Sequence, residues 1–527
     1  MALPTRTLLF FFVALAVATH LPSAFSLTTR QTETDSLDAS VSSSDGVTAA
    51  ATTDSLRGGS PSATYAQVCA QIKASISSAS AVYYPGDPVF KWLSSHWAAT
   101  STQTSACVVE PRSAVDVGKI LQLVGRYRTP FAVEGGGHAT NPGFSSTPGV
   151  HISLNSFKSI TYNAASQTVE FGAGLSWNEV YTALEPHGVS VVGGRALGPG
   201  VAGFTLGGGY SFKTNQYGLT VDSVVGFELV KPNGQVVGVT QGSDSGLFFA
   251  LKGAGNNFGI VTKFTLKTVP QGPIWGGIVT YMDPTSLAAI NLATSKFSTQ
   301  STDPKAAMLS TTAYYQGMPL TSVQLFYDGP NPPAGIFDDF LSTPSVQSDV
   351  GTRSYLSFYK QSPSNDTYGM RNYFHTVPIA KYTPKIMNLI SNLTVAYGNE
   401  LASKSLVFMT LVAEPFLPTI LTHSTSPSAY PFTRAKAYTP FQIFLSWSDP
   451  AQDAVFESAL KRISDAMYAG LVAEGQADSL LAPMYGNYAW GGTSVARIYG
   501  TNLVPLKVVK LRVDPTDVMG LAGGFKV

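Results

Sequence analysis

A histidine placed directly after three glycines, in Glu134-Gly135-Gly136-Gly137-His138, is where this chain concentrates its chemistry. Glycine has no Cβ, so such a run can take positive φ and lie close against a ligand. Successive bare N–H groups in the loop form an anion-binding nest. The imidazole that follows can serve as base, metal ligand or nucleophile. A phosphate cradle beside a nucleophile suggests a cofactor held by charge and by a covalent bond. Taken alone, the motif is explained equally well by a tight turn with an incidental histidine. Two further regions tip the balance. The segment from Gly193 to Tyr210 contains Gly198, Gly200, Gly203, Gly207 and Gly208, too many glycines for a plain packed helix. It suits backbone passing under a flat or phosphorylated ligand. The run Lys252-Gly-Ala-Gly255-Asn-Asn257-Phe-Gly-Ile260 reads as a helix end, a glycine turn and the start of a strand.

The elements that must position these loops follow from periodicity. Val68, Ile72 and Ile76 recur at helical spacing from Tyr65. Ala106 to Glu110 is a short strand ended by Pro111. Val115 to Arg126 is a helix with Val117, Ile120, Leu121 and Val124 on one face. Thr129 to Glu134 is another strand, and it runs straight into the first glycine loop. Strand, helix, strand and glycine loop form a compact nucleotide-binding arrangement. It is not a Rossmann unit, because the Gly207 cluster lacks the expected succession of strand, fingerprint, helix and acidic residue. No glycine loop carries a Walker lysine, no histidine cluster suggests a metal, and there is no nucleophile elbow. Further along, alternation in Leu406 to Ala413 and Phe441 to Trp447, with a helical stretch at 454–469, predicts an antiparallel sheet backed by helices. Strand parity puts Tyr314, Phe408, Gln442 and Phe444 on one face of it.

Composition bounds the partners. Only 12% of residues are charged and the net charge is +1, which argues against nucleic acid or an anionic membrane. Met1 to Ser26 has Arg6, the apolar run Leu8 to Ala18 and small residues after it, the layout of a secretory signal peptide. Residues 27–62 are rich in Ser, Thr, Ala and Asp and read as a disordered leader. Asn365-Asp-Thr and Asn392-Leu-Thr are sequons, open to N-glycosylation in a secreted chain. The two cysteines, Cys69 and Cys107, default in that compartment to one disulfide tying the first helix to the first strand, with two separate buried thiols as the alternative.

In their order and residues, these motifs resemble the berberine-bridge-enzyme-like FAD-linked oxidases of the vanillyl-alcohol-oxidase superfamily. The resemblance rests on Gly-Gly-Gly-His138, on Gly200-Val-Ala-Gly-Phe-Thr-Leu-Gly-Gly-Gly209 and on Gly255-Asn-Asn-Phe-Gly-Ile-Val-Thr262. It extends through Tyr485-Gly-Asn487-Tyr488, Tyr499-Gly-Thr-Asn502 and Val513-Asp-Pro, covering about residues 65 to 527. It implies an α+β fold. A PCMH-type FAD-binding domain of two α/β subdomains would span 63–272. A substrate domain with an antiparallel sheet backed by helices would span 273–481, and residues 482–527 would return to the FAD domain. It also implies that His138 bonds the flavin and that Gly135, Gly136 and Gly137 meet the pyrophosphate. Gly200, Val201, Gly203, Gly207 and Gly208 match a second FAD-contacting stretch, and Gly255, Asn257 and Ile260 a third near the adenosine. Asn487 matches a residue beside the isoalloxazine ring. Many relatives add a second flavin bond from a cysteine, and here Ala196 stands in that place. The resemblance therefore implies one covalent link, with a lower flavin potential than doubly linked relatives have.

The expected activity is that of a secreted, monomeric oxidase. Hydride passes from an alcohol, sugar or secondary metabolite to FAD and on to O2. An oxidative or redox-neutral cyclase, or a dehydrogenase slow with O2, remains the alternative. Hydride loss needs a base for the neighbouring O–H or N–H proton. Tyr485 matches the proposed base of carbohydrate-oxidising relatives, with packing under the flavin ring as its other reading. Gln442 occupies a position where some relatives carry an acidic base, and it cannot ionise. Glu414 is a rival acid or a solvent-facing carboxylate. Arg195 has two readings, approach to a phosphate or a surface role. Lys507 and Lys510 are read on one helix face, either solvated or paired with the flavin's pyrimidine end. His151 is read as structural.

Overall fold

The computed structural model describes residues 63–362 and 367–527. The signal-like segment, the leader and the Asn365 sequon lie outside the described residues. Asn392 is an exposed position of the helix Pro384–Ala402.

The first sheet contains β1 (Ala81–Tyr83), β2 (Cys107–Glu110), β3 (Phe131–Glu134) and β4 (Val150–Ser153), in the order β1-β2-β4-β3. β2, β4 and β3 run parallel, and β1 pairs antiparallel to β2. Parallel strands are covered on both faces, and β2 and β4 are buried at every position. The helix Ala114–Arg126 makes the crossover from β2 to β3. Its N-cap Ser113 accepts from the Asp116 amide, and Val117, Ile120, Leu121 and Val124 are buried. Cys69, in the helix Tyr65–Ser75, is disulfide-bonded to Cys107 on β2. Sequence periodicity overlooked β1, so the bridge reaches the second strand and not the first.

The second sheet is antiparallel: β5 (Ile160–Asn163), β6 (Thr168–Gly172), β7 (Val224–Val230), β8 (Val236–Val239) and β9 (Ile260–Lys267), in the order β5-β6-β9-β7-β8. One apolar cluster joins these two sheets, and the C-terminal helix Leu503–Val513 adds Leu506, Val509 and Val513 to it. The final segment then bridges Ala522 to Phe131, the first residue of β3.

The third sheet holds seven antiparallel strands: β10 (Ile274–Tyr281), β11 (Ala306–Tyr315), β12 (Met318–Tyr327), β13 (Gln347–Arg353), β14 (Arg371–Ile379), β15 (Leu406–Ala413) and β16 (Thr439–Trp447). Their order is β13-β10-β12-β11-β15-β16-β14. Alternate residues Met409, Leu411, Ile443, Leu445 and Trp447 pack on the helices Pro384–Ala402 and Asp453–Ala473. The intervening residues Phe408, Gln442 and Phe444 therefore share the opposite face, as parity predicts. Tyr314 does not. It lies in the helix-side core with its hydroxyl donating to Asn399 at 2.6 Å, and its neighbour Tyr315 meets Phe408 instead. The parity slip belongs to β11, whose register the sequence did not show. The result is an α+β architecture of the PCMH type.

Tyr314 lies against Gly398, where an added Cβ would fall 2.2 Å from the ring. Glycine to alanine inside a helix ordinarily gains about 1 kcal/mol. Here the overpacking cost of about 1–3 kcal/mol exceeds that gain. Gly398→Ala is expected to lower the melting temperature, measured by calorimetry, against its helix propensity.

Candidate active site

β3 ends at Glu134 and delivers the chain into the Gly135–His138 loop. The Glu134 carboxylate is buried, 2.8 Å from His151 Nε2 and 3.5 Å from His96 Nε2, so the strand end is anchored from two sides. The next residue to His96, Trp97, donates its N–H to the Gly137 carbonyl at 3.0 Å. Its indole stacks on the His138 ring, with centroids 4.3 Å apart and planes within 10°. Gly137 has φ +60°, which only glycine adopts cheaply. Gly136 meets the second glycine region backbone to backbone: a Cβ on it would lie 2.4 Å from the Gly200 nitrogen, and one on Gly200 2.6 Å from the Gly136 nitrogen. These two glycines lock the two loops together.

A cleft of about 320 Å³ opens beside this junction, lined by Glu134, Gly135, Gly136, His138, Ser153, Asn155, Gly174, Ser176 and Gly198. His138 Nε2 is buried without a hydrogen-bond partner among the described residues. Burial lowers the imidazole pKa to about 4, so it is neutral and keeps a lone pair at ordinary pH. A dinucleotide cradle of bare backbone ending at an unsatisfied, neutral imidazole fits a flavin dinucleotide. Gly135, Gly136 and Gly200 would hold it with their backbone and His138 with its ring. Ser153, Asn155 and Gly174 to Ser176 were not picked out from sequence. They lie at the ends of β4 and β6, and only the meeting of two sheets brings them to the loop.

The second glycine region continues as the short helix Val201–Leu206, with Val201 buried and open space beside Gly203. Gly207 faces Asn487, whose carboxamide would sit 2.0 Å from an added Cβ. Asn487 Nδ2 donates to the Phe204 carbonyl at 3.0 Å and to the Tyr485 hydroxyl at 2.9 Å, which ties the Tyr-Gly-Asn-Tyr motif to this loop. Gly208, at φ +119°, packs on Tyr430. In the third region, the Gly255 N–H donates to Leu206 O, and Ile260 begins β9 opposite Val230. Asn257 is tied to the end of the chain. Its Nδ2 donates to the Ala254 and Phe525 carbonyls, and its Oδ1 accepts from the Val527 N–H. Through these bonds the side chain anchors the C-terminus.

The remaining candidates converge on one cluster. Arg195 is 8% exposed and not a surface residue; its Nη2 donates to Glu414 Oε2 at 2.6 Å and to the Tyr488 hydroxyl at 3.1 Å. Glu414, 2% exposed, follows β15 and does not face solvent. Its other oxygen accepts from Tyr488 at 3.2 Å. Burial pushes the Glu414 carboxyl up, and the Arg195 charge opposes this. Tyr485 packs edge-on against Tyr210 and Tyr488. Burial pushes its phenol up to about 12, while the Asn487 donor and the Arg195 cation work the other way. Gln442 sits opposite Thr376 and Val412 on the same sheet face as Phe444. Lys507 is exposed. Lys510 is buried, donating to the Asn257 carbonyl and Asp514, so the two lysines do not share an environment.

Comparison with known proteins agrees with this geometry. Residues 105–240 match the model of the FAD binding domain family. An FAD-linked oxidoreductase of Arthroderma benhamiae is 31% identical over 460 residues, covering 82% of this chain and 89% of that protein. The chain belongs to the FAD-linked oxidoreductases. An FAD-dependent monooxygenase of Aspergillus calidoustus is 29% identical over 88% of this chain and 90% of its own. Among solved structures, 6-hydroxy-D-nicotine oxidase from Arthrobacter nicotinovorans superposes with a TM-score of 0.70 at 21% identity, covering 84% of this chain and 96% of its own. BBE-like 1 of Physcomitrella patens gives 0.71 at 18% identity, covering 86% and 97%. The protein is an FAD-dependent oxidoreductase.

Because Gly136 and Gly200 touch through backbone, Gly136→Ala must separate the two loops. The variant is expected to purify with less than about a tenth of the wild-type flavin, read from absorbance. Asn257→Ala should leave flavin content closer to normal and expose Lys526-Val527 to carboxypeptidase, followed by mass spectrometry.

Proposed function

We propose that this protein is a secreted FAD-dependent oxidase that carries its flavin on a single covalent bond from His138. It takes hydride from a carbon bearing a hydroxyl or amine on a small organic substrate, with O2 as the final acceptor. The observation that carries the reading is the buried junction of Tyr485, Asn487 and the second glycine region, linked through the Tyr488 and Phe374 rings to the neutral, unsatisfied His138. Flavin held by Gly135, Gly136, Gly200 and His138 would supply the hydride acceptor for the substrate carbon. Tyr485 takes the proton released from the neighbouring O–H or N–H. Asn487 orients it by donating to its oxygen, and the Arg195 cation favours the phenolate. Glu414 fixes Arg195 as its counter-ion with both oxygens engaged, and its own charge partly offsets the cation's effect on the phenol. Gln442 contributes polarity but no base. The apolar surroundings of His138 and Phe374 exclude water from the bond-forming nitrogen.

The phenol's high pKa makes the base form more abundant as pH rises, so hydride transfer should quicken toward alkaline pH. Tyr485→Phe is expected to reduce the rate of flavin reduction by roughly 10²–10⁴-fold and to abolish that rise, with flavin still attached. Stopped-flow reduction measures both. Peroxide release against a substrate panel tests the oxidase reading, and flavin reduction without peroxide would overturn it.

A neutral His138 should let flavin attach at constant rate through the neutral range and slow only near pH 4, well below the ordinary histidine value of 6.5. Acid-stable flavin fluorescence on the peptide holding His138 reads this out. The flavin-free protein should also lose stability as pH falls from 6.5 to about 4, because its unfolded chain takes up the proton first.

A further inference from the structure

The Arg195–Glu414 pair holds a feature that neither the flavin cradle nor the proton transfer uses. Nη2 of Arg195 is engaged with Glu414 and Tyr488, but Nη1 is buried with no hydrogen-bond partner among the described residues. Buried polar groups are nearly always paired, and a guanidinium nitrogen left open is unfavourable until an acceptor reaches it. Glu414 neutralises the charge from 2.6 Å, so the pair presents two directed N–H donors without net charge. Such a group suits an uncharged or delocalised oxygen, such as a conjugated carbonyl, phenol or enol, better than a phosphate.

The surroundings are aromatic. The guanidinium stands 5.5 Å from the Phe416 ring centre. Tyr488, which bridges the ion pair, lies 6.0 Å from Phe374, which stacks on Trp97 at 5.5 Å and meets Phe444 at a tilt at 5.0 Å. The flavin-side face of the third sheet is thus a wall of rings that runs from Arg195 to His138. Planar rings stack on such a wall in offset or tilted geometry.

We propose that Arg195 is the substrate-recognition residue of this site, and that the substrate class is a planar aromatic compound with a carbonyl or hydroxyl oxygen conjugated to its ring. Nη1 donates to that oxygen, and the ring packs on Phe374 and Phe444. Arg195 holds this position because it extends from the second glycine region to Glu414 at the end of β15. The proposal rests on the flavoenzyme reading for its site, but it is tested by binding and not by turnover.

The flavin-loaded protein is titrated with 2-hydroxyacetophenone, benzoate and cellobiose, following the flavin absorbance. The hydroxyketone is expected to bind the wild type and to bind Arg195→Gln at least about tenfold more weakly, the size expected for a hydrogen bond to a charged donor. Glu414→Gln leaves the guanidinium charge uncompensated, so benzoate should gain about tenfold while the hydroxyketone changes little. If Arg195→Gln does not fold, Arg195→Lys and Glu414→Gln decide the question. The proposal is overturned if the hydroxyketone fails to bind the wild type, if only cellobiose binds, or if Glu414→Gln leaves benzoate unchanged. It is also overturned if Arg195→Gln shifts the spectrum of the free flavin while probe affinity stays the same, which would assign Nη1 to the flavin. Failure of the oxidase reading shows separately, as absent peroxide with these affinities intact.

Discussion

Two peptide planes in contact set the geometry of this enzyme. Gly136, at the end of a parallel strand, and Gly200, at the head of a short helix from another part of the chain, meet with no space for a side chain. Any Cβ there would overlap backbone, and backbone cannot rotate out of the way as a flexible side chain can. Bare N–H groups from two loops are consequently brought together beside one cleft. Trp97 holds the first loop through a backbone hydrogen bond and a ring stack, while Glu134 is gripped by two buried histidines. Rigid placement of His138 follows from these constraints, since no partner among the described residues holds its Nε2.

The second organising contact is electrostatic. A buried ion pair gains little net stability, because the desolvation of both charges offsets their attraction. Its value lies in position. Arg195 reaches from the glycine region to Glu414 at the end of β15, and Tyr488 of the Tyr-Gly-Asn-Tyr motif touches both. Three stretches far apart in sequence thereby share one charge-balanced point, with the Tyr485 phenol next to it. The cofactor loops and the substrate sheet are registered to each other by that point.

Much of this was legible in the chain itself. Glycine runs declare where backbone must approach closely, since no other residue tolerates such contacts, and the three glycine regions and His138 were found on that ground. Periodicity located the crossover helix Ala114–Arg126 to within one residue and the face of β16 that holds Gln442 and Phe444. It failed at Tyr314, because parity carries no information on which residue of a strand starts the count. It also missed β1, a strand of three residues too short to show alternation.

By itself, then, the sequence determined the loops, the imidazole, the family and the absence of a cysteine at Ala196, since each is a property of local composition or spacing. Tertiary structure alone decided the partners. Arg195 and Glu414 are separated by 219 residues, and each reads as an ordinary surface charge until folding buries both. Asn257, matched to the cofactor by its motif, holds the C-terminus with its side chain, a contact 268 residues or more away in sequence. Desolvation and hydrogen-bond saturation depend on everything that surrounds a side chain in space, and no linear window of residues contains that information.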